Sequence, residues 1–326
     1  MQQQQSATPP STLSKPKTRV QQLIGELDVR ARRKLPKPTY RFLVRRYHDI
    51  SVAAGRNPGR GRLSPDFVVI GAAKAGTTSL YAWLSEHPFV SPASKKEVHY
   101  FDYNYFRGDD WYRSHFPLAA DQARFAADHG RGFITGEASP SYISHYWVPD
   151  RLAQALPDAK LLVALRDPVE RAYSQFQMSR RENEEPLEDF AAAVAAEEGR
   201  LEPERARLRA DRQYNSWPIG CWSYKMRSRY AEQVERWYER FDRSRFHFVT
   251  LEQLSEDPQR AMDAIHDFLE LPAHTYPDLA ARHAAPSYAS IPDGVRAELT
   301  EYFRPHNERL YELVGTDFGW ERRVAG

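Results

Sequence analysis

The sequence predicts an α/β fold in which a central parallel β-sheet is flanked by helices in three layers. Three observations lead there. Continuous apolar runs at Val68-Val69-Ile70 and at Lys160-Leu161-Leu162-Val163-Ala164-Leu165 have the length and composition of buried strands. Each is followed almost at once by helix-start residues, and further strands are expected at 133–135 and 246–250 with helical stretches between them. Strands that alternate with helices pair in parallel and are covered on both faces. With 326 residues and 41% hydrophobic content, the chain can bury one large core.

Taken in order, residues 1–62 read as an N-terminal extension and 63–326 as a single domain. The extension holds 14 Lys/Arg and 3 Asp/Glu, or +11, whereas the remainder carries 32 basic and 41 acidic side chains, or −9. Its first dozen residues, rich in Gln, Pro and Ser, have a disordered composition. Stretches 20–35 and 40–50 suit amphipathic helices, the second setting Phe42, Val44 and Tyr47 among Arg41, Arg45 and Arg46. Such an arm packs on its own acidic domain or makes peripheral contact with an anionic membrane surface. The acidity of the remainder argues against nucleic acid as a partner. Further helices are expected at 77–86, 149–156, 168–181, 187–198, 224–241, 258–270 and 292–313. The stretch 199–212 reads as an exposed helix or loop beside an acceptor cleft, where Tyr214, Trp217 and Trp222 offer ring faces or simply pack. The single cysteine, Cys221, suits a reducing compartment. No apolar run approaches a membrane span and the start lacks a signal peptide's apolar stretch, so a cytoplasmic setting is expected.

The chemistry concentrates at the end of the first strand. Gly71, Ala72, Ala73 and Gly76 are small enough for backbone N–H groups to approach an anion closely. Lys74 adds a point charge, and Thr77, Thr78 and Ser79 add hydroxyls where a helix begins. The candidate cradle is therefore Lys74, Ala75, Gly76, Thr77, Thr78 and Ser79. A nucleotide triphosphate P-loop reads G-x-x-x-x-G-K-[ST], with the hydroxyl after lysine on Mg²⁺. Here Lys74 comes two residues before Gly76 and Thr77 follows the glycine, an order unsuited to that metal site.

The order K-x-G-T-T resembles the 5′-phosphosulfate loop of sulfotransferases that use 3′-phosphoadenosine-5′-phosphosulfate (PAPS). A second motif, Arg166-Asp167-Pro168-Val169-Glu170-Arg171-Ala172-Tyr173-Ser174, is similar to their 3′-phosphate motif. Asp167 has the place of an N-cap and Pro168 that of the first helical residue. Arg166 then stands at a strand end, where its planar fork suits a phosphate, and Ser174 follows two turns into the helix. The segment Lys95-Lys96-Glu97-Val98-His99-Tyr100-Phe101-Asp102 narrows the resemblance to the heparan-sulfate-type sulfotransferases. Gly136-Glu137-Ala138-Ser139-Pro140-Ser141-Tyr142 and Tyr302-Phe303-Arg304-Pro305-His306-Asn307 extend it, so that it covers roughly residues 65–320. The resemblance implies a P-loop-like fold, PAPS as co-substrate, 3′-phosphoadenosine-5′-phosphate as product, and no metal. It also implies that Glu97 is the base and that Lys74 assists the leaving phosphate. It suggests a bacterial member of the family.

The residues support those roles independently. A hydroxyl is a poor nucleophile, so a carboxylate or imidazole must reach its proton. On an extended segment Glu97 and His99 point to one side and Val98 and Tyr100 to the core. One of the pair acts as base while the other orients it; His99 otherwise is a packed histidine. Burial among apolar neighbours is expected to raise the Glu97 pKa above its usual value near 4.3. Other features depart from the family. Ala138 stands where heparan-type enzymes tend to have lysine, Thr78 where 3-O-type enzymes have arginine, and Ala284-Ala285-Pro286-Ser287-Tyr288 where they carry a basic Lys-Gly-Arg loop. Ser287 and Tyr288 become the candidates for closing over the nucleotide. The expected activity is sulfuryl transfer to a hydroxyl or amine of a glycan or hydroxylated small molecule. A P-loop small-molecule kinase and a non-catalytic nucleotide- or polyanion-binding module are the alternatives.

Overall fold

The computed structural model describes residues 59–280 and 290–324. Residues 1–58, with the two expected helices of the N-terminal arm, and the segment carrying Ser287 and Tyr288 lie outside them.

Five strands form one sheet: β1 (Phe67–Gly71), β2 (Val90–Pro92), β3 (Ile134–Ala138), β4 (Lys160–Leu165) and β5 (Phe246–Thr250). Their spatial order is β2-β3-β1-β4-β5, and every pairing is parallel. Helix α1 (Thr77–Glu86) follows β1, and α2 (Asp109–Arg113) and α3 (Ala119–His129) lie between β2 and β3. Helix α4 (Val148–Ala155) precedes β4. Between β4 and β5 come α5 (Pro168–Arg181), α6 (Phe190–Ala210), α7 (Trp217–Trp222) and α8 (Tyr230–Tyr238). After β5 follow α9 (Leu251–Glu256), α10 (Pro258–Leu269) and α11 (Asp293–Val314). The fold class expected from the sequence is the one observed.

The apolar runs are continuous because both faces of the sheet are covered. Phe67, Val68, Val69 and Ile70 in β1 and Leu161 to Leu165 in β4 are all at most 1% exposed. Helix α5 starts where the sequence says it must. The Asp167 carboxylate accepts from Val169 N at 2.8 Å and Glu170 N at 3.1 Å, and Pro168 opens the first turn.

Other boundaries shift for physical reasons. The stretch expected as a helix over 224–241 becomes α-helical only at Tyr230, after a 3₁₀ turn at Met226–Ser228. The buried Arg171 guanidinium takes the Ser223 and Tyr224 carbonyls at 2.9 and 2.8 Å, so those oxygens serve a side chain and not a helix. Helix α6 starts at its Asp189 cap and runs on through Pro203 to Ala210, so 199–212 is mostly helical. Strand β2 pairs over three residues and is too short to read from the sequence.

The sheet places the site. From β1 the chain crosses to β2 and β3 on one side, then returns to β4 and β5 on the other. The crevice beyond the carboxyl ends of β1, β3 and β4 is where open α/β sheets take ligands. Gly76, the N-cap of α1, has φ 81°, and a Cβ there would come 2.7 Å from Leu251 Cδ1. Gly76→Ala is therefore expected to lower stability by about 1–3 kcal/mol, read as a lower midpoint in urea unfolding. An unchanged midpoint would show that this turn tolerates a side chain.

Candidate functional site

The loop between β1 and α1 is held by backbone. Ala72 N donates to Ala164 O of β4 at 2.5 Å, and Ala75 N to Ala72 O at 3.2 Å. Lys74 (φ 77°) and Gly76 both take the left-handed conformation, which turns the chain sharply into α1. Gly76 offers no side-chain cap and the first turn of α1 has no acidic residue. The first N–H groups of α1, flanked by Thr77 and Thr78, therefore have no capping side chain at Gly76, an arrangement that suits an anion.

Three further residues close on this loop. Arg166, at the end of β4, reaches the Lys74 carbonyl through Nη1 at 3.5 Å and pairs with Glu170 at 3.2 Å. Lys74 Nζ lies 3.4 Å from the thioether of Met178. Glu170, Ser174 and Met178 are four residues apart on α5 and share one face, so Ser174, 4% exposed, sits between the residues that meet Arg166 and Lys74. Burial pushes the Lys74 ammonium below its ordinary pKa, and Arg181, Arg166 and Arg171 add to this against Glu182. A desolvated ammonium beside these guanidinium groups suits an oxyanion in the loop.

The second group stands at the end of β3. Glu97 N bonds Ala138 O at 2.9 Å, which sets the segment against the strand end next to β1. Here the extended conformation expected for residues 97–99 is not observed. Glu97 and His99 have φ 61° and 54°, both left-handed. A buried network holds them there. The Glu137 carboxyl, 0% exposed, accepts from Tyr112 Oη at 2.9 Å, Tyr142 Oη at 3.1 Å and Ser139 Oγ at 2.8 Å. Ser139 Oγ in turn accepts from His99 N at 3.0 Å, and Tyr142 Oη from Tyr100 N at 2.8 Å. Val98 and Tyr100 are buried, as expected.

Glu97 and His99 still meet. His99 Nε2 lies 3.5 Å from Glu97 Oε2, and Lys96 contacts the other carboxylate oxygen. His99 Nδ1 lies 2.9 Å from the fully buried Asp102 carboxylate, to which Ser141 Oγ also donates at 2.6 Å. Burial opposes charge on His99, but Asp102 and Glu97 outweigh it and push its pKa up to about 9. The hydrogen bond from His99, with help from Lys96, holds Glu97 down at about 2 against the effect of burial. The expectation that burial raises Glu97 is thus reversed, because an imidazolium beside a carboxylate outweighs partial desolvation. Asp102 and Ser141 join this group, which the sequence did not disclose. Asp102 is only three residues past His99, but the turn that brings it round depends on the contacts of Tyr142 and Ser139.

Of the aromatic candidates, Trp217 is 39% exposed and packs edge-on to Trp222 with centroids 5.1 Å apart. Tyr214 donates to Glu204 and is covered by Arg207, so its face is already occupied.

The chain is similar to several known proteins. A sulfotransferase-domain family model matches residues 64–285. The chain is 30% identical over 308 residues to mouse heparan sulfate glucosamine 3-O-sulfotransferase 6, covering 87% of this chain and 81% of that one. It is 28% identical to the membrane-associated sulfotransferase kil1 of Dictyostelium discoideum, covering 81% and 68%. A crystal structure of a sulfotransferase from Alicyclobacillus acidocaldarius is similar with a TM-score of 0.60 and 31% identity, over 80% of this chain and all of that one.

The His99 environment has a measurable consequence. Because its pKa is raised in the fold, the protonated form contributes stability that is full below about pH 6.5 and lost as the pH rises through about 9. An NMR titration should find the His99 imidazole charged at neutral pH in the wild type. In Asp102→Asn its pKa should drop by at least one unit. An unshifted His99 in that variant would show that Asp102 does not hold the charge.

Proposed function

The chain belongs to the sulfotransferase-domain family, in its heparan-sulfate-type branch, and from this we propose that it moves a sulfuryl group from PAPS to a hydroxyl or amine of a glycan or hydroxylated small molecule. As a sulfotransferase it is neither a small-molecule kinase nor a non-catalytic binding module. One observation carries the donor assignment. An uncapped helix N-terminus, a desolvated Lys74 and Arg166 converge at the adjacent ends of β1 and β4. That arrangement suits a ligand with one anionic group at the loop and a second at Arg166.

In this reading Lys74, Ala75, Gly76, Thr77, Thr78 and Ser79 hold the 5′-phosphosulfate, and Arg166 and Ser174 hold the 3′-phosphate. Lys74 stabilises the charge that grows on the bridging oxygen as the S–O bond breaks. Glu97 accepts the acceptor's proton as the new O–S or N–S bond forms. A carboxylate held near 2 is a weak base. It takes the proton late, when bond formation to sulfur has made the acceptor oxygen acidic. His99 donates to Glu97 and orients it, and Asp102 keeps His99 charged. Charge stabilisation falls to Lys74 and backbone N–H groups, so no metal enters the proposed step.

The test is a set of ³⁵S-transfer assays on variants. Glu97→Gln should lower turnover by about 10²–10⁴ with nearly unchanged affinity for 3′-phosphoadenosine-5′-phosphate. His99→Asn should cost less. Lys74→Ala should reduce kcat more than donor affinity, because its charge is needed mainly in the transition state. A near-normal Glu97→Gln alongside an inactive His99→Asn would exchange the two roles.

The pH dependence follows from the same pair. The rate should show no Glu97 ionisation between pH 4 and 8 and should fall as the pH rises through about 9, when His99 loses the proton it donates to Glu97. A profile rising with a pKa near 6 would contradict an ionised Glu97 held by charged His99. Chelation of divalent metals should leave the rate unchanged; abolition of turnover would require a metal in the step.

A further inference from the structure

The ammonium of Lys74 ends on sulfur. Its backbone is held left-handed at φ 77°, in a loop bonded to β4, and the side chain crosses from that turn to α5. There Nζ meets the thioether of Met178 at 3.4 Å, although the two residues are 104 apart in sequence. Among the described residues no carboxylate pairs with this ammonium. A thioether is a weak acceptor. Partial burial works against charge on Lys74, Arg181, Arg166 and Arg171 add to it, and Glu182 opposes them. Contact with Met178 therefore keeps the ammonium in place without satisfying it.

The sulfur is also placed to be modified. Met178 is half-buried, one turn after Ser174 and two after Glu170 on α5. The chain has four methionines. Met262 is fully buried, whereas Met226 is half-buried like Met178. The single thiol is a poor competitor for oxidants. Cys221 is 6% exposed, and burial with the Glu184 carboxylate beside it pushes its pKa up, which disfavours the thiolate.

We propose that Met178 is an oxidation site that sets the state of Lys74: its sulfoxide takes the ammonium as a strong hydrogen-bond partner and holds it back from the phosphosulfate. Hydrogen peroxide is the oxidant. The sulfur lone pair attacks one peroxide oxygen, and an S–O bond forms as the O–O bond breaks. The second oxygen takes the first one's proton and leaves as water, so sulfur loses two electrons and peroxide gains them. The flexible methionine side chain lets the new oxygen turn to Nζ. A hydrogen bond to the charged form favours that form, so Lys74 becomes a more firmly held cation. Interaction energy that belongs in the transition state is then spent in the ground state. Methionine sulfoxide reductases, one for each epimer, reverse the step with a dithiol as electron donor and water as product. The effect on Lys74 rests on geometry alone; the effect on turnover rests on the sulfotransferase reading above.

The experiment treats the protein with hydrogen peroxide, locates the added oxygen by peptide mass spectrometry and measures two rates. The first is acetylation of Lys74 in a brief pulse of acetic anhydride, which follows the neutral amine and needs no nucleotide. After peroxide, Lys74 of the wild type should be acetylated more slowly by about threefold or more. The second is ³⁵S transfer, which should fall by about fivefold or more. Both reductases with dithiothreitol should restore both rates. Met178→Leu, a swap of similar volume, should show the same two rates before and after peroxide. Met226→Leu should respond as the wild type does. Unchanged acetylation of Lys74 in protein oxidised at Met178 would overturn the proposal. So would slowing that persists in Met178→Leu, or a Met178 that stays unmodified while Met226 is oxidised. Absence of sulfuryl transfer by the untreated protein would count against the donor assignment instead, and the acetylation rates would still decide the role of Met178.

Discussion

The parallel pairing of β1 with β4 is the constraint on which the rest of the molecule depends. The register sets Val69 against Leu162 and Gly71 against Val163, and Ala72 N continues the ladder onto Ala164 O. Both strands are buried on both faces, so a slipped register would push Lys160 inward and pull Asp167 off its helix. Held in place, the pairing brings together two segments 92 residues apart in sequence. Lys74 and Arg166 become neighbours, each at the entry to a helix that leaves the same sheet edge. The juxtaposition of these two cations follows from one ladder of hydrogen bonds.

The Glu97–His99 pair depends on a different interaction, the buried Glu137 carboxyl. Through Ser139 and Tyr142 it fixes the backbone of His99, Tyr100 and Phe101, and so sustains two left-handed non-glycine residues that would otherwise relax. Burial raises the Glu137 pKa, while three hydroxyl hydrogen bonds act in the other direction. Glu137 therefore acts on the backbone of the segment, whereas Glu97 carries a partly exposed charge held by His99.

Much of this was legible in the sequence, for local reasons. Strands β4 and β5 and helices α1 and α5 fall where apolar runs, Gly76 and the Asp167-Pro168 pair put them, because each of those signals acts within one turn. The fold class follows from the alternation of such elements. The turn at Glu97–His99 was not legible, because it is imposed by Ser139 and Tyr142 from the segment that follows β3. The acidity of Glu97 was misread for the same reason, since Asp102 charges His99 only once that turn is made.

The central claim is that β1 and β4 together hold a nucleotide by two separated anionic groups. Calorimetric comparison of 3′-phosphoadenosine-5′-phosphate with adenosine 5′-phosphate, in the wild type and in Arg166→Ala, tests it most directly. The account predicts that the wild type prefers the bisphosphate and that Arg166→Ala removes about 2–4 kcal/mol of that preference while leaving the monophosphate nearly unaffected. Equal losses for both nucleotides, or no preference in the wild type, would contradict it.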